Sequence, residues 1–203
     1  MLKIYGNPVS TCTRKVLMTC AEDNVPFEMV SLDFAKAEHK GAPHVARQPW
    51  GKIPAIDDDG FELYESRAIC RYLNDKVHGP LMGSDLKSRA RVDQWVSIES
   101  ENFSSNAMQY VYKYVFHRDV PEDKMTAATA GLEKALTVME DQLSKTAFVA
   151  GDSFTLGDIC FMPYIEYAMG TPAKEHFAKF PHVMAWWSKV SERPTWRKVA
   201  GRA

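Results

Sequence analysis

The chain has 203 residues, 45% of them apolar, and 25 basic against 26 acidic side chains for a formal charge of −1. That is enough to bury a core as one large domain or two small ones, and the scattered basic residues form no stripe for nucleic acid. No apolar run approaches the roughly 18 residues of a membrane span, and the amino end, MLKIYGNP, meets a turn too early for a signal peptide.

Four cysteines, at 12, 20, 70 and 160, and six histidines show no metal-ligand spacing. With residues 11–24 helical, Cys12 and Cys20 are about 12 Å apart along the axis, too far for a disulfide. These features predict a cytoplasmic protein with reduced thiols and no metal.

In chain order, Leu2-Lys3-Ile4-Tyr5 reads as a strand stopped by Gly6-Asn7-Pro8. Thr11 to Asn24 turns helical, with Val16, Leu17, Cys20 and Ala21 on one side. Phe27–Leu32 is a second strand, which makes a βαβ unit with parallel strands expected. An irregular polar stretch, DFAKAEHKGAPHVARQPWG, comes next. Lys52–Ile56 and Phe61–Tyr64 then flank Asp57-Asp58-Asp59-Gly60, a hairpin signal, and a helix is expected over Ser66–Asn74.

The linker stretch DKVHGPLMGSD leads into a helical remainder. The division is residues 1–78, a linker at 79–86, and a helical domain over 87–203. Leu86–Phe116 is helix-compatible. Pro121–Lys145 is the clearest helix, with Met125, Ala128, Leu132, Ala135, Leu136, Met139 and Leu143 at spacings of three and four and Pro121 suited to its first turn. Thr155 and Asp158 form a capping-box pattern, with Phe154 and Ile159 at staple positions.

This order, α/β followed by all-α, resembles a thioredoxin-like domain with a helical partner, the plan of the glutathione S-transferases. PVSTCTRKV after the first strand, EHK in the loop, QPWGKIPAIDDDG before the hairpin and LYESRAICRYL opening the third helix are most similar to the phi class and its bacterial relatives. FTLGDI and PHVMAWW…RPTW extend the resemblance over the whole chain.

The resemblance implies a set of site residues. Pro54 matches a cis proline that leaves the backbone of Ile53 free to pair with the peptide backbone of glutathione. Ser66 stands at a helix N-terminus, whose orphan N–H groups and dipole suit a carboxylate. The γ-glutamyl carboxylate would bind there, with Glu65 accepting from the α-ammonium. His39, Lys40 and Lys52 would surround the glycine carboxylate, although phi members more often carry glutamine where Lys52 stands. Ser10 matches the catalytic serine that stabilises the glutathione thiolate, and Thr11 would give a secondary contact. In isolation, Ser10 reads equally as a helix cap.

Other readings stay open. Cys12, in the first helical turn, would support glutathione-dependent thiol–disulfide exchange or peroxide reduction. The fold also serves as a non-catalytic binding or assembly module. Glutathione is expected as substrate rather than cofactor, beside an apolar electrophile whose site would lie between the domains. Val9, Trp50, Met108, Tyr112, Phe116 and Phe161 are candidates for that site by type alone. The family resemblance implies a homodimer, without membrane or nucleic-acid partners.

Overall fold

The computed structural model describes residues 1–202, so the last residue of the expected 87–203 domain lies outside the described residues. The chain divides into two compact units, Met1–Met82 with the segment from Arg197, and Gly83–Trp196.

In the first unit, Leu2–Gly6 (β1) buries Leu2, Ile4 and Gly6 and leaves Lys3 and Tyr5 partly exposed, the period-two pattern of a strand with one face on a core. Thr11–Glu22 (α1) follows, burying Val16, Leu17 and Cys20, and returns the chain to Glu28–Ser31 (β2), which runs parallel to β1. The polar stretch after β2 is partly ordered: Glu38–Lys40 forms a 3-10 turn and Ala42–Val45 a short helix (α2). One helical turn is too short to leave a periodic signal in the sequence.

Ala55–Asp58 (β3) and Phe61–Tyr64 (β4) form the hairpin, giving a sheet of order β2-β1-β3-β4 with β3 antiparallel to both neighbours. The turn is Asp59-Gly60 alone, with φ of 52° and 94°. These are the positive values a two-residue hairpin loop needs. Asp57 and Asp58 belong to the strand, and Asp58 accepts a hydrogen bond from the Tyr72 hydroxyl at 2.6 Å and pairs with Lys76. Strand β3 starts at Ala55 rather than Lys52, since Pro54 has no N–H to donate to a ladder. Ser66–Lys76 (α3) packs on α1, burying Ile69, Cys70 and Leu73.

The second unit is helical. Leu86–Ile98 (α4) and Ser104–Tyr110 (α5) are joined by a π-helical turn at Glu99–Phe103 and followed by another at Val111–Val115. Glu122–Leu143 (α6) buries the periodic residues from Met125 to Leu143, and Pro121 is its N-cap rather than a first-turn residue. Leu156–Ala168 (α7), Lys174–Phe177 (α8), Pro181–Ser191 (α9) and Pro194–Ala200 (α10) complete the chain.

Helix α7 is apolar nearly all round and lies at the centre of the unit, against α4, α5 and α9. Gly157 permits the approach to α4: a Cβ there would stand 3.2 Å from Val149 Cγ2 and 3.3 Å from Trp95 Cβ. Phe103 meets Phe161 edge-on at 4.9 Å between ring centroids, and Trp95 and Phe177 extend the cluster. Phe161, an electrophile-site candidate by type, is fully buried in this core. Thr155 and Asp158 close a reciprocal capping box at the start of α7. No helix among the described residues is long and apolar enough to cross a membrane.

Candidate active site

Strand register brings the sequence-selected segments to one end of the first unit's sheet. Tyr5 on β1 faces Ala55 on β3, and Ala55 faces Tyr64 on β4. Beyond that row the chain leaves β1 toward Ser10, enters β3 from Ile53-Pro54, and leaves β4 toward Glu65-Ser66. Adjacent strands lie about 4.8 Å apart, so these segments emerge side by side. Strand β2, parallel to β1 with Ser31 opposite Gly6, sends its loop with His39 and Lys40 from the same end.

Ser10 is the N-cap of α1, in extended backbone with φ −71° and ψ 130°. Its hydroxyl oxygen accepts the Thr13 N–H at 3.3 Å, and its own N–H donates to Asn7 O at 2.9 Å. Capping occupies an oxygen lone pair and leaves the O–H proton available as a donor. Thr11 opens the helix and is partly exposed, while Thr13 is buried against Gly6. Cys12 is also partly exposed, whereas Cys20, Cys70 and Cys160 are buried. Burial pushes the Cys20 and Cys70 thiols up to about 12, so they stay protonated and inert.

The Ile53–Pro54 peptide bond is cis. Ile53 lies just outside β3, and its backbone N–H and C=O have no hydrogen-bond partner among the described residues. Glu65 precedes α3 with φ 73° and ψ 106°, a conformation that a non-glycine residue holds under strain. Ser66, 4% exposed, is the first residue of α3, and its hydroxyl likewise has no partner among the described residues.

The basic loop folds back over the segment that precedes β3. Gly51, at φ +57°, lies beneath the Lys40 side chain; an added Cβ would come within 2.8 Å of Lys40 Cδ. Lys40 Nζ donates to Trp50 O at 3.4 Å. Burial, with Lys40 and His44 nearby, holds the His39 imidazole below its usual 6.5, so at neutral pH His39 contributes a hydrogen-bonding ring rather than a third cation. Lys40 and Lys52 are exposed. Arg47 ties this loop to the sheet, with its guanidinium 3.7 Å from the Tyr5 ring centroid and its Nε 2.8 Å from Glu62 Oε1.

Sequence reasoning missed His44 and Gln48. Both are buried, and both hydrogen-bond the backbone of Lys52. Their spacing of four residues in a polar stretch carries no motif; only the burial reveals them. Among the other electrophile-site candidates, Val9, Trp50 and Phe116 are exposed and Met108 and Tyr112 partly so.

A four-stranded βαβ–ββα unit with a cis proline before its third strand, followed by a helical unit, is the architecture of a thioredoxin-like domain with a helical partner. Family models agree: the glutathione S-transferase N-terminal domain matches residues 1–75 and the C-terminal domain residues 103–194. The chain belongs to the glutathione S-transferase family, a family of enzymes, and is most similar to its phi class. Glutathione S-transferase F6 of Arabidopsis thaliana is 37% identical, with 98% of each chain covered. The crystal structure of glutathione transferase F7 from Populus trichocarpa superposes with a TM-score of 0.93 at 36% identity, covering 100% of this chain and 99% of that one. Glutathione S-transferase I from Mais, solved with an atrazine glutathione conjugate, gives 0.90 at 30% identity, covering 99% and 97%.

Proposed function

We propose that this protein binds reduced glutathione at the shared end of β1, β3 and β4, ionises its thiol through Ser10, and delivers the thiolate to a hydrophobic electrophile. The observation that carries this reading is the register: Ser10, Ile53 and Ser66 flank three adjacent strands at one end, each with uncommitted hydrogen-bonding capacity.

Glutathione brings its own nucleophile, so the protein's task is to favour the thiolate. A free thiol ionises near 8.5, leaving about a few per cent charged at pH 7. The Ser10 O–H donating to sulfur, at the positive end of a 12-residue helix, favours the charged form by two routes. Lowering the thiol pKa by two units corresponds to about 2.7 kcal/mol, within reach of a charge-assisted hydrogen bond plus a helix dipole. The thiol proton passes to solvent, the sulfur forms a bond to the electrophilic carbon, and the leaving group departs with the electrons of the bond that breaks.

The remaining contacts follow chemical type. The free N–H and C=O of Ile53 pair with the tripeptide backbone as an added strand would. Ser66 receives the γ-glutamyl carboxylate and Glu65 the α-ammonium. Lys40 and Lys52 face the glycine carboxylate, with His39 as an uncharged partner, and Thr11 assists Ser10. Residues 1–78 hold glutathione, 79–86 link, and the helical residues from 87 onward supply the hydrophobic electrophile site. The protein acts as a cytoplasmic homodimer; a monomeric mass by light scattering would remove the dimer from this reading.

The test is turnover of 1-chloro-2,4-dinitrobenzene with glutathione by the native protein and by Ser10→Ala. The native protein should conjugate, and Ser10→Ala should lose about twenty-five-fold in kcat/KM at pH 7, as the two-unit pKa rise takes the bound thiol from about three-quarters ionised to a few per cent. Equal rates would reject Ser10 as the activating group.

A further inference from the structure

The carbonyl and the N–H of Lys52 are each held by a buried side chain outside the proposed glutathione contacts. His44 Nε2 lies 2.7 Å from Lys52 O, and Gln48 Oε1 accepts the Lys52 N–H at 3.1 Å. A carbonyl can only accept, so Nε2 carries the hydrogen. His44 is 3% exposed and Gln48 1%. Their own backbone is fixed as well: Gln48 N–H donates to His44 O at 2.8 Å and Gly51 N–H to Gln48 O at 2.9 Å.

The second nitrogen of His44 sharpens the point. Nδ1 is buried without a hydrogen-bond partner, an arrangement that costs stability. A phenylalanine would fill the same space without an orphaned nitrogen. What histidine adds there is the Nε2–H bond to Lys52.

We infer that His44 and Gln48 are positioning residues that clamp Lys52 and thereby aim the Ile53 N–H at the peptide backbone of glutathione. A peptide unit is planar, and in the trans form its C=O and N–H point in opposite directions. Holding the Lys52 carbonyl inward on His44 therefore turns the Ile53 N–H outward, and the Gln48 bond stops Lys52 from rocking on its other side. The Ile53 N–H has no partner among the described residues, so it is aimed and left vacant. This rests on the glutathione reading above. The clamp governs glutathione affinity and leaves thiol ionisation, which belongs to Ser10, untouched.

The test compares the native protein with His44→Phe, His44→Gln and Gln48→Leu. Calorimetric binding of S-methylglutathione, which has no thiol to ionise, is measured alongside steady-state conjugation of 1-chloro-2,4-dinitrobenzene. His44→Phe and Gln48→Leu should each raise the Kd for S-methylglutathione and the KM for glutathione about tenfold, the loss of one aligned hydrogen bond. The kcat at saturating glutathione and the pH midpoint of activity should stay within twofold and within a few tenths of a unit. His44→Gln, whose amide can still donate, should recover most of the affinity. Native-like Kd in both His44→Phe and Gln48→Leu would overturn the clamp, and so would a fall in kcat at unchanged KM. If the native protein itself fails to bind S-methylglutathione, the glutathione reading falls and the clamp with it. Binding by the native protein with equal affinity in the variants sinks the clamp alone.

Discussion

Two helices of this protein begin with a hydroxyl residue at the N-cap, and the two caps differ in how completely they are used. At α7, Thr155 and Asp158 are both buried. The Asp158 carboxylate accepts from the N–H groups of Val149 and Thr155 at 3.1 and 2.9 Å, the Thr155 hydroxyl at 3.1 Å and Trp186 Nε1 at 2.9 Å. Burial still pushes its pKa up to about 6, against all four donors. At α1, Ser10 is partly exposed, makes one cap bond at 3.3 Å, and has no acidic residue in its first turn. The closed cap spends its hydrogen bonds on the fold, whereas the open one keeps a donor in reserve. A cap with an unspent donor at an accessible helix start is a place where chemistry can be done.

Breaking the closed cap should have the largest effect. Asp158→Ala orphans four buried donors, a loss of about 3–5 kcal/mol by analogy with broken buried networks. Domains of this kind are stable by about 5–15 kcal/mol, so the denaturant midpoint should fall steeply. A loss under about 1 kcal/mol would mean that the box is not structural. Ser10→Ala is the counterpart at the open cap. It should cost about 1 kcal/mol or less in stability, because one long cap bond is lost, yet about twenty-five-fold in kcat/KM at pH 7. The inverse pattern, an unstable but active Ser10→Ala protein, would make the two caps equivalent and defeat the comparison.

The two caps were not equally legible in the sequence. FTLGDI carries the whole capping box in local spacing, because the box is an interaction between residues three apart. Ser10 sits among Thr11, Cys12 and Thr13, and nothing local separates it from them; its selection came from family resemblance and was set in context by strand register. The βαβ–ββα order was readable because strands and helices carry different periodicities. The clamp of His44 and Gln48 was not, because burial of two polar side chains beneath a loop depends on contacts that no short window records. The core placement of Phe161 was hidden for a related reason: an aromatic residue on an all-apolar helix gives no sign of facing a ligand or a neighbour.

Asp58 lies between these extremes, a nearly buried carboxylate whose partners, Tyr72 and Lys76, come from one helix. The hydrogen bonds from Lys76 and Tyr72 hold its pKa below the usual 3.8. A carboxylate with a depressed folded-state pKa adds stability above its unfolded value and gives it up as pH falls through the folded one. Asp58→Asn should therefore lower stability by about 1–2 kcal/mol at pH 7, the scale of a hydrogen bond to a charged group. The gap between native and variant should narrow as pH drops below about 3.8 and close in stronger acid. A gap of constant size from pH 7 to pH 2 would mean that the charge on Asp58 contributes nothing and only its shape matters.

The smallest expected effect tests the open cap most narrowly. Cys12 is two residues past Ser10, in the first turn of α1, and is the one partly exposed thiol among the described cysteines. If the unspent donor at this helix start is the Ser10 hydroxyl, Cys12→Ala should leave conjugation of 1-chloro-2,4-dinitrobenzene within twofold of native. If the helix start instead serves a protein thiolate, the Cys12 thiolate attacks the glutathionyl sulfur of a mixed-disulfide substrate, forming Cys12–S–SG as the substrate's S–S bond breaks and its thiolate leaves. A glutathione thiolate then attacks that disulfide, releasing oxidised glutathione and restoring the Cys12 thiolate. Reduction of a glutathione mixed disulfide would then persist in Ser10→Ala and vanish in Cys12→Ala. The two variants, assayed in both reactions, assign the helix start to one atom. Loss of conjugation in Ser10→Ala with retention in Cys12→Ala assigns it to the hydroxyl, because an inert thiol removed from a half-buried first turn has no route to the glutathione sulfur.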